Sequence, residues 1–322
     1  MKIAILGMGA YGIALAKVFY KNENDVVIWT KFKEELESVE IIRENRAVLP
    51  GVKIPTKIKL TCDMQKCVEN ADIIVVAIPM NAVRNVLKDL HEFLDKKQVV
   101  CLVTKGIEEE SGEFVSNIAQ EELEGTNNIC MLSGPSIASE LADGSDRGLN
   151  VASPSNFAIL TVKVCLENEN IVVIPLNDMI GIQVASAVKN VFAIFCGYAD
   201  AKGYSDSLKA ALLSKLIKDM RLLIKYFGGN DDTLFEYAGL GDMLLTCMSS
   251  KSRNYTFGKM LGSGYKYDNI LKKMNVTTVE GISTLNILHK MLVQKNVKVK
   301  SINTLYDIIY NGYEINNILK DI

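Results

Sequence analysis

The chain has 322 residues with 36 Lys and Arg against 38 Asp and Glu, a formal charge of -2, and no clustered basic run, so it lacks the cationic surface that grips a nucleic-acid backbone. Seven cysteines scattered from Cys62 to Cys247 without a CxxC pair, and only His91 and His289, argue for reduced, mostly buried thiols and against a disulfide framework or a zinc centre. The length allows about two domains with separate cores.

The first strand is expected at residues 3–6, which leaves no room for a secretory signal, and no apolar run is expected to approach the roughly 18 residues of a membrane span. A cytoplasmic protein is therefore expected. Residues 3–12, IAILGMGAYG, break from that strand into glycines at 7, 9 and 12 and then into a helix over about 11–20. In the dinucleotide fingerprint Gly7 permits the tight turn, Gly9 lets the backbone approach a pyrophosphate, and Gly12 lets the helix pack on the strand. The helix, opening at Ala10 or Tyr11, points its free N–H groups at that phosphate.

Further apolar strands are expected at 25–29, 73–78, 99–103, 129–132 and 171–174, alternating with helices. That alternation predicts an α/β domain, a Rossmann-type doubly wound parallel sheet over residues 1–176. At the end of the second strand, where an NAD site places an acid on the ribose 2′-hydroxyl, the chain reads WTKFK. Lys31 or Lys33 would attract a 2′-phosphate, and the first carboxylate, Glu34, falls in the next helix, so NADPH is preferred and NADH possible. Residues 43–60, with Pro50, Gly51 and Pro55, read as a long loop with one short strand, and loops of that length tend to carry function. After Pro175 no proline occurs, and helices are expected over 177–198, 208–227, 279–292 and 302–309, making residues 177–322 an all-α domain.

Five places there and on the sheet could carry chemistry. Lys189 has Ala185, Phe192 and Ala193 one turn away, so it is either a buried proton-transfer group or a snorkelling lysine at a helix rim. Asp242, after two glycines in AGLGDMLLTC, is either a helix N-cap or a carboxylate that orients the lysine. In SSKSRN, Ser252 would cap a helix whose first turn presents Arg253 and Asn254, which makes either an anion seat or a solvated polar helix start. Lys105 and the turn from Ser133 to Ser136 directly follow strands, at the edge where open parallel sheets bind ligands, though a loop lysine and an ordinary turn read alike.

The segments GMGAYG, LPGVKIP, VTKGIEEESG, SGPSIASE, SAVKN, GLGDMLLTC, SRN with FGKMLGSG, and VEG, in this order, resemble the bacterial NAD(P)-dependent glycerol-3-phosphate dehydrogenases over nearly the whole chain. The resemblance implies reversible reduction of dihydroxyacetone phosphate to sn-glycerol 3-phosphate, feeding phospholipid synthesis, without a metal. It implies a C-terminal domain like that of 6-phosphogluconate dehydrogenase, and it makes Lys189 the general acid/base with Lys105 and Asp242 supporting it. By the same resemblance Lys105, Gly134, Ser136, Lys189, Asn190, Asp242, Ser252, Arg253 and Asn254 meet the substrate. Gly7, Gly9, Ala10, Tyr11, Gly12, Lys31, Lys105, Ala138, Arg253, Thr278 and Glu280 then meet the cofactor.

Three departures from the family pattern stand out. Tyr11 replaces a common tryptophan, residues 143–153 lack the usual proline and threonine, and Thr278 replaces an apolar residue. The alternatives are another two-domain β-hydroxyacid-type dehydrogenase, such as a 6-phosphogluconate or ketopantoate enzyme, and a non-catalytic NADPH-binding redox sensor. The apolar helical domain is compatible with a homodimer.

Overall fold

Strands sandwiched between helical layers have no polar face, and KIAIL, IIVV and VVCL read that way. In the computed structural model, which describes residues 1–276, 278–315 and 317–322, every residue of 3–6, 73–76 and 99–102 is buried. The chain forms two units, one of residues 1–105 and 114–179, the other of residues 106–113 and 180–322.

The first unit runs β1 (Lys2–Leu6), α1 (Ala10–Lys21), β2 (Asp25–Trp29), α2 (Lys33–Ile42), β3 (Lys59–Thr61), α3 (Met64–Val68), β4 (Ile73–Val76), α4 (Met80–His91), β5 (Val99–Leu102), α5 (Val115–Glu122), β6 (Ile129–Ser133), α6 (Ala138–Asp143), β7 (Arg147–Ala152), α7 (Asn156–Leu166) and β8 (Ile171–Leu176). They build an eight-stranded sheet in the order β3-β2-β1-β4-β5-β6-β7-β8. The order reverses at β1, so the switch point lies between β1 and β4. Leu6 pairs with both Trp29 and Val76, Val76 with Leu102, and Leu102 with Met131, so the carboxyl ends of these five strands lie level. Gly7, Thr30, Ala77 and Gly134 follow directly from that edge, and Lys105 comes three residues after β5.

An all-parallel sheet was the expectation, and it holds from β3 through β6 but fails at β7, which runs antiparallel to β6 with β8 parallel to β7. The cause is the connection: α6 has six residues, about 9 Å of helix, too short to carry the chain back along β6, whereas the 11-residue α7 returns it to a parallel β8. β7 lies in the atypical 143–153 stretch, where Gly148 and Asn150 dilute the strand signal. It has a positional consequence. A Cβ on Gly134 would sit 2.9 Å from Gly148 O, so β7 backs the turn after β6.

The long loop after α2 is tied down rather than loose. Arg43 Nη2 donates to Pro55 O at 2.6 Å. The Glu44 carboxylate accepts from Gly51 N at 2.9 Å and pairs with Lys53 Nζ at 2.8 Å. The hydrogen bonds from Lys53 and the Gly51 N–H hold the Glu44 carboxyl down at about 2.

The second unit is helical among the described residues: α8 (Met179–Ala201), α9 (Asp206–Tyr226), a 3-10 turn (Asp231–Phe235), a π turn (Tyr237–Gly241), α10 (Asp242–Met248), α11 (Arg253–Gly262), α12 (Tyr267–Met274), α13 (Glu280–Gln294), α14 (Lys300–Tyr310) and α15 (Ile318–Asp321). Residues 106–113 join it, against the expected division at 176/177. Gly106 turns the chain at a φ of 113°, and Gly112 lies against Met291 of α13. The 23-residue α8 also corrects the expectation about membrane spans, because it is long and apolar enough to pass as one. Its most apolar stretch is 89% buried within the fold, the position of a core helix rather than a lipid-facing one. Glycines bring α11 against it: a Cβ on Gly258 would lie 1.9 Å from Ile194 O, and one on Gly197 2.0 Å from Tyr255 O. No side chain separates the two backbones there, which packs the first two turns of α11 on the C-terminal half of α8. All seven cysteines are unpaired, five of them buried and Cys62 and Cys196 partly exposed.

Candidate active site

The glycine turn after β1 is built for close approach. Gly7 stands at a φ of 122°, where a Cβ would meet Ala77 O at 2.3 Å, and a Cβ on Gly12 would meet Gly7 O at 2.2 Å. Gly9 differs, because a Cβ there would meet no protein atom within 4 Å. α1 starts after Gly9 with no side-chain cap and no acidic residue in its first turn, so its positive end faces that open space uncompensated. These features fit a dinucleotide pyrophosphate. Tyr11, in the first turn of α1, reaches the turn after β6 through its hydroxyl, 3.0 Å from Ser136 Oγ, and Ser136 Oγ donates to Gly134 O at 3.1 Å. Ala138 opens α6 next to this turn. Lys31 is exposed past β2, and Lys105 follows β5 by three residues.

The second unit holds the buried ion pair. Lys189, in the middle of α8 and 6% exposed, places Nζ 2.5 Å from Oδ1 of Asp242, which is 1% exposed. Burial opposes charge on both groups, and each is the counter-ion that makes the other's charge tolerable. The snorkelling alternative fails because the ammonium points inward to this partner. The N-cap alternative for Asp242 fails as well: the cap position is Gly241, and Asp242 is the first helical residue of α10, aimed into the core. A compact turn delivers it, since a Cβ on Gly239 would lie 2.4 Å from Thr233 O and Leu234 O. Thr246, one turn on, accepts from Lys189 Nζ at 3.0 Å while its own proton goes to Asp242 O at 2.6 Å. It is an acceptor toward the lysine only, so Asp242 and Thr246 together fix the direction of the ammonium. Cys247 beside them, hydrogen-bonded to Cys196 and buried, has its thiol pushed well above the usual range and stays neutral.

Beside Lys189, Asn190 Nδ2 donates to Glu280 Oε2 at 3.1 Å, and the other oxygen of Glu280 lies 3.8 Å from Arg253 Nη2. Arg253 and Glu280 have mostly exposed side chains, so their pairing is weak and open to exchange. Ser252 caps α11 by accepting from Tyr255 N, which leaves Arg253 and Asn254 in the first turn. Asn254 is buried, and its Oδ1 accepts from Gly281 N at 2.9 Å. A Cβ on Gly281 would meet Asn190 O at 2.5 Å and Asn254 Oδ1 at 2.7 Å, so this glycine lets α13 close on both asparagines.

The structure thus brings Lys189, Asn190, Asp242, Ser252, Arg253, Asn254 and Glu280 into one linked set in the second unit, and Gly7, Gly9, Tyr11, Gly134 and Ser136 into another in the first. Thr278 is exposed, with Oγ1 3.2 Å from Ser283 Oγ, and joins neither. Thr246 and Gly281 were not singled out as site residues from the sequence. Thr246 carried one signal, its position four residues after Asp242 on the same helix face, and Gly281 carried none beyond lying in VEG.

A Rossmann-type sheet unit with a glycine turn suited to a pyrophosphate, followed by a helical unit with a buried lysine–carboxylate pair, fits the class of two-unit, nicotinamide-dependent oxidoreductases. Comparison with known proteins narrows the class. The sequence profile described as NAD-dependent glycerol-3-phosphate dehydrogenase N-terminus matches residues 2–157, and the profile for its C-terminus matches residues 178–320. The chain is 35% identical to a Bacillus subtilis protein named glycerol-3-phosphate dehydrogenase [NAD(P)+] over 323 aligned residues, covering 100% of this chain and 93% of that one. A Fusobacterium nucleatum protein of the same name is 35% identical over 97% of this chain and 93% of its own. The crystal structure of the Coxiella burnetii glycerol-3-phosphate dehydrogenase superposes with a TM-score of 0.92 at 26% identity, covering 99% of this chain and 98% of that one. The chain belongs to the NAD-dependent glycerol-3-phosphate dehydrogenase family and is an oxidoreductase.

Proposed function

We propose that this chain reduces dihydroxyacetone phosphate reversibly to sn-glycerol 3-phosphate with a reduced nicotinamide cofactor. Family membership and one observation carry the proposal, the Lys189 ammonium held 2.5 Å from Asp242 in a buried site. When bound, the reduced nicotinamide supplies the hydride that converts a ketone carbon to an alcohol carbon. Lys189 supplies the proton to the C2 oxygen, and in the reverse direction takes it back. Asp242 and Thr246 keep Nζ aimed during this exchange, and Asp242 stabilises the charged form before transfer.

The phosphate is assigned to the start of α11, whose first turn, capped by Ser252, carries Arg253 and Asn254, and this remote anchor orients the carbonyl. Asn190 adds an amide next to the proton donor. Lys105, Gly134 and Ser136 are assigned to substrate, and Ala138 and Thr278 to cofactor, on the family resemblance alone. Gly7, Gly9, Gly12 and the first turn of α1 hold the pyrophosphate. The exposed Lys31 and Lys33 past β2 favour NADPH, with NADH as a second cofactor. Product of this chemistry enters glycerophospholipid synthesis.

The phosphate seat is tested by Arg253→Ala. KM for dihydroxyacetone phosphate is expected to rise by roughly tenfold to a hundredfold in steady-state assays, with kcat changed much less. An unchanged KM would place the phosphate elsewhere.

A further inference from the structure

The ribose 2′ position of a dinucleotide is read at the carboxyl end of β2. Along the sequence no acid stands there, since Trp29 is followed by Thr30, Lys31, Phe32 and Lys33. The fold brings one back. Glu35, in the first turn of α2, accepts from the Thr30 hydroxyl through Oε2 and from Asn45 Nδ2 through Oε1 at 2.8 Å. Thr30 is the first residue past β2 and is 3% exposed. It also accepts from Phe32 N at 3.3 Å, so its own proton is committed to Glu35. Asn45 is 5% exposed and donates to Met8 O at 3.1 Å, inside the glycine turn. Both carboxylate oxygens are therefore bound to buried groups that belong to the strand end and to the loop under the phosphate cradle. Glu35 itself stays partly exposed. It is a fixed charge at the end of β2, not a mobile helix side chain.

We propose that Glu35 sets cofactor selectivity: its fixed carboxylate disfavours a 2′-phosphate and accepts from a 2′-hydroxyl, so NADH is retained beside NADPH despite Lys31 and Lys33. The proposal rests on the cofactor assignment above and adds the residue that limits it. Lys33 is a weak counterweight, with a side chain 84% exposed and 3.8 Å from Glu37. A neighbouring group feels the balance. Cys62, whose carbonyl accepts from Trp29 Nε1 at 3.1 Å, has its thiol pushed up first by burial and next by Glu35 and Glu37, against a smaller opposite effect of Lys33. At this thiol the two carboxylates outweigh Lys33.

Titration calorimetry of NADPH and NADH with the full chain, Glu35→Gln and Glu35→Asp tests the proposal. Glu35→Gln removes the charge and keeps the shape, so the ratio of NADH to NADPH dissociation constants is expected to rise by roughly tenfold. Glu35→Asp keeps the charge and is expected to stay near the original ratio. An unchanged ratio in Glu35→Gln, an equal loss of both affinities, or the same change in Glu35→Asp would overturn the proposal. If the unmodified chain binds neither nucleotide, the cofactor assignment fails instead, before Glu35 is in question.

Discussion

Lys189→Ala is expected to lower kcat for dihydroxyacetone phosphate reduction by a factor of roughly 10² to 10⁴, the contribution of a positioned general acid, with the dissociation constant for NADPH little changed. The same substitution strands Asp242, 1% exposed, without its counter-ion, and breaking a buried pair in this way costs about 3–5 kcal/mol. Loss of activity alone would therefore be ambiguous. Two measurements separate the causes. Thermal melting should show the single variant destabilised, and Lys189→Met combined with Asp242→Asn should recover most of that stability, because no buried charge remains, while staying inactive. A near-normal kcat in folded Lys189→Ala would remove the lysine from the mechanism.

Gly9→Ala and Gly12→Ala are expected to fail in different ways, although both lie in one turn. A Cβ at Gly12 would lie 2.2 Å from the backbone oxygen of Gly7, so α1 or the turn must shift, and stability and cofactor binding should fall together. A Cβ at Gly9 meets no protein atom within 4 Å, and its φ of −75° suits any residue, so Gly9→Ala should melt like the unmodified chain. If the open space is the pyrophosphate cradle, that methyl group occupies it, and cofactor affinity should drop by roughly tenfold or more. Normal cofactor binding by Gly9→Ala would mean the cradle lies elsewhere.

The features legible in the sequence are those whose causes are local. The strand, glycine turn and helix from residue 3 to about 20 follow from a run of apolar residues and from three glycines, two of which admit no side chain, and the helices α8, α9, α13 and α14 follow from apolar spacing. Direction and partnership are set by distances along the chain that composition does not encode. The antiparallel β7 follows from a helix of six residues, and the assignment of residues 106–113 to the second unit follows from Gly106 and a contact with α13. Lys189 and Asp242 could be named as candidates, but each had an ordinary alternative, and only their separation of 2.5 Å in the core distinguishes the readings. Glu35 shows the same limit from the other side: read linearly it is a surface residue of α2, yet its two hydrogen bonds return it to the end of β2.

The most direct measurement follows NADPH and NADH oxidation with dihydroxyacetone phosphate and, in parallel, with unphosphorylated dihydroxyacetone. The account predicts turnover of the phosphate ester with at least one cofactor, NADPH the better of the two, and a kcat/KM lower by several orders of magnitude for the unphosphorylated ketone. That difference is what a phosphate anchor at Ser252, Arg253 and Asn254 is expected to contribute. No turnover of dihydroxyacetone phosphate with either cofactor, or equal turnover of both ketones, would contradict it.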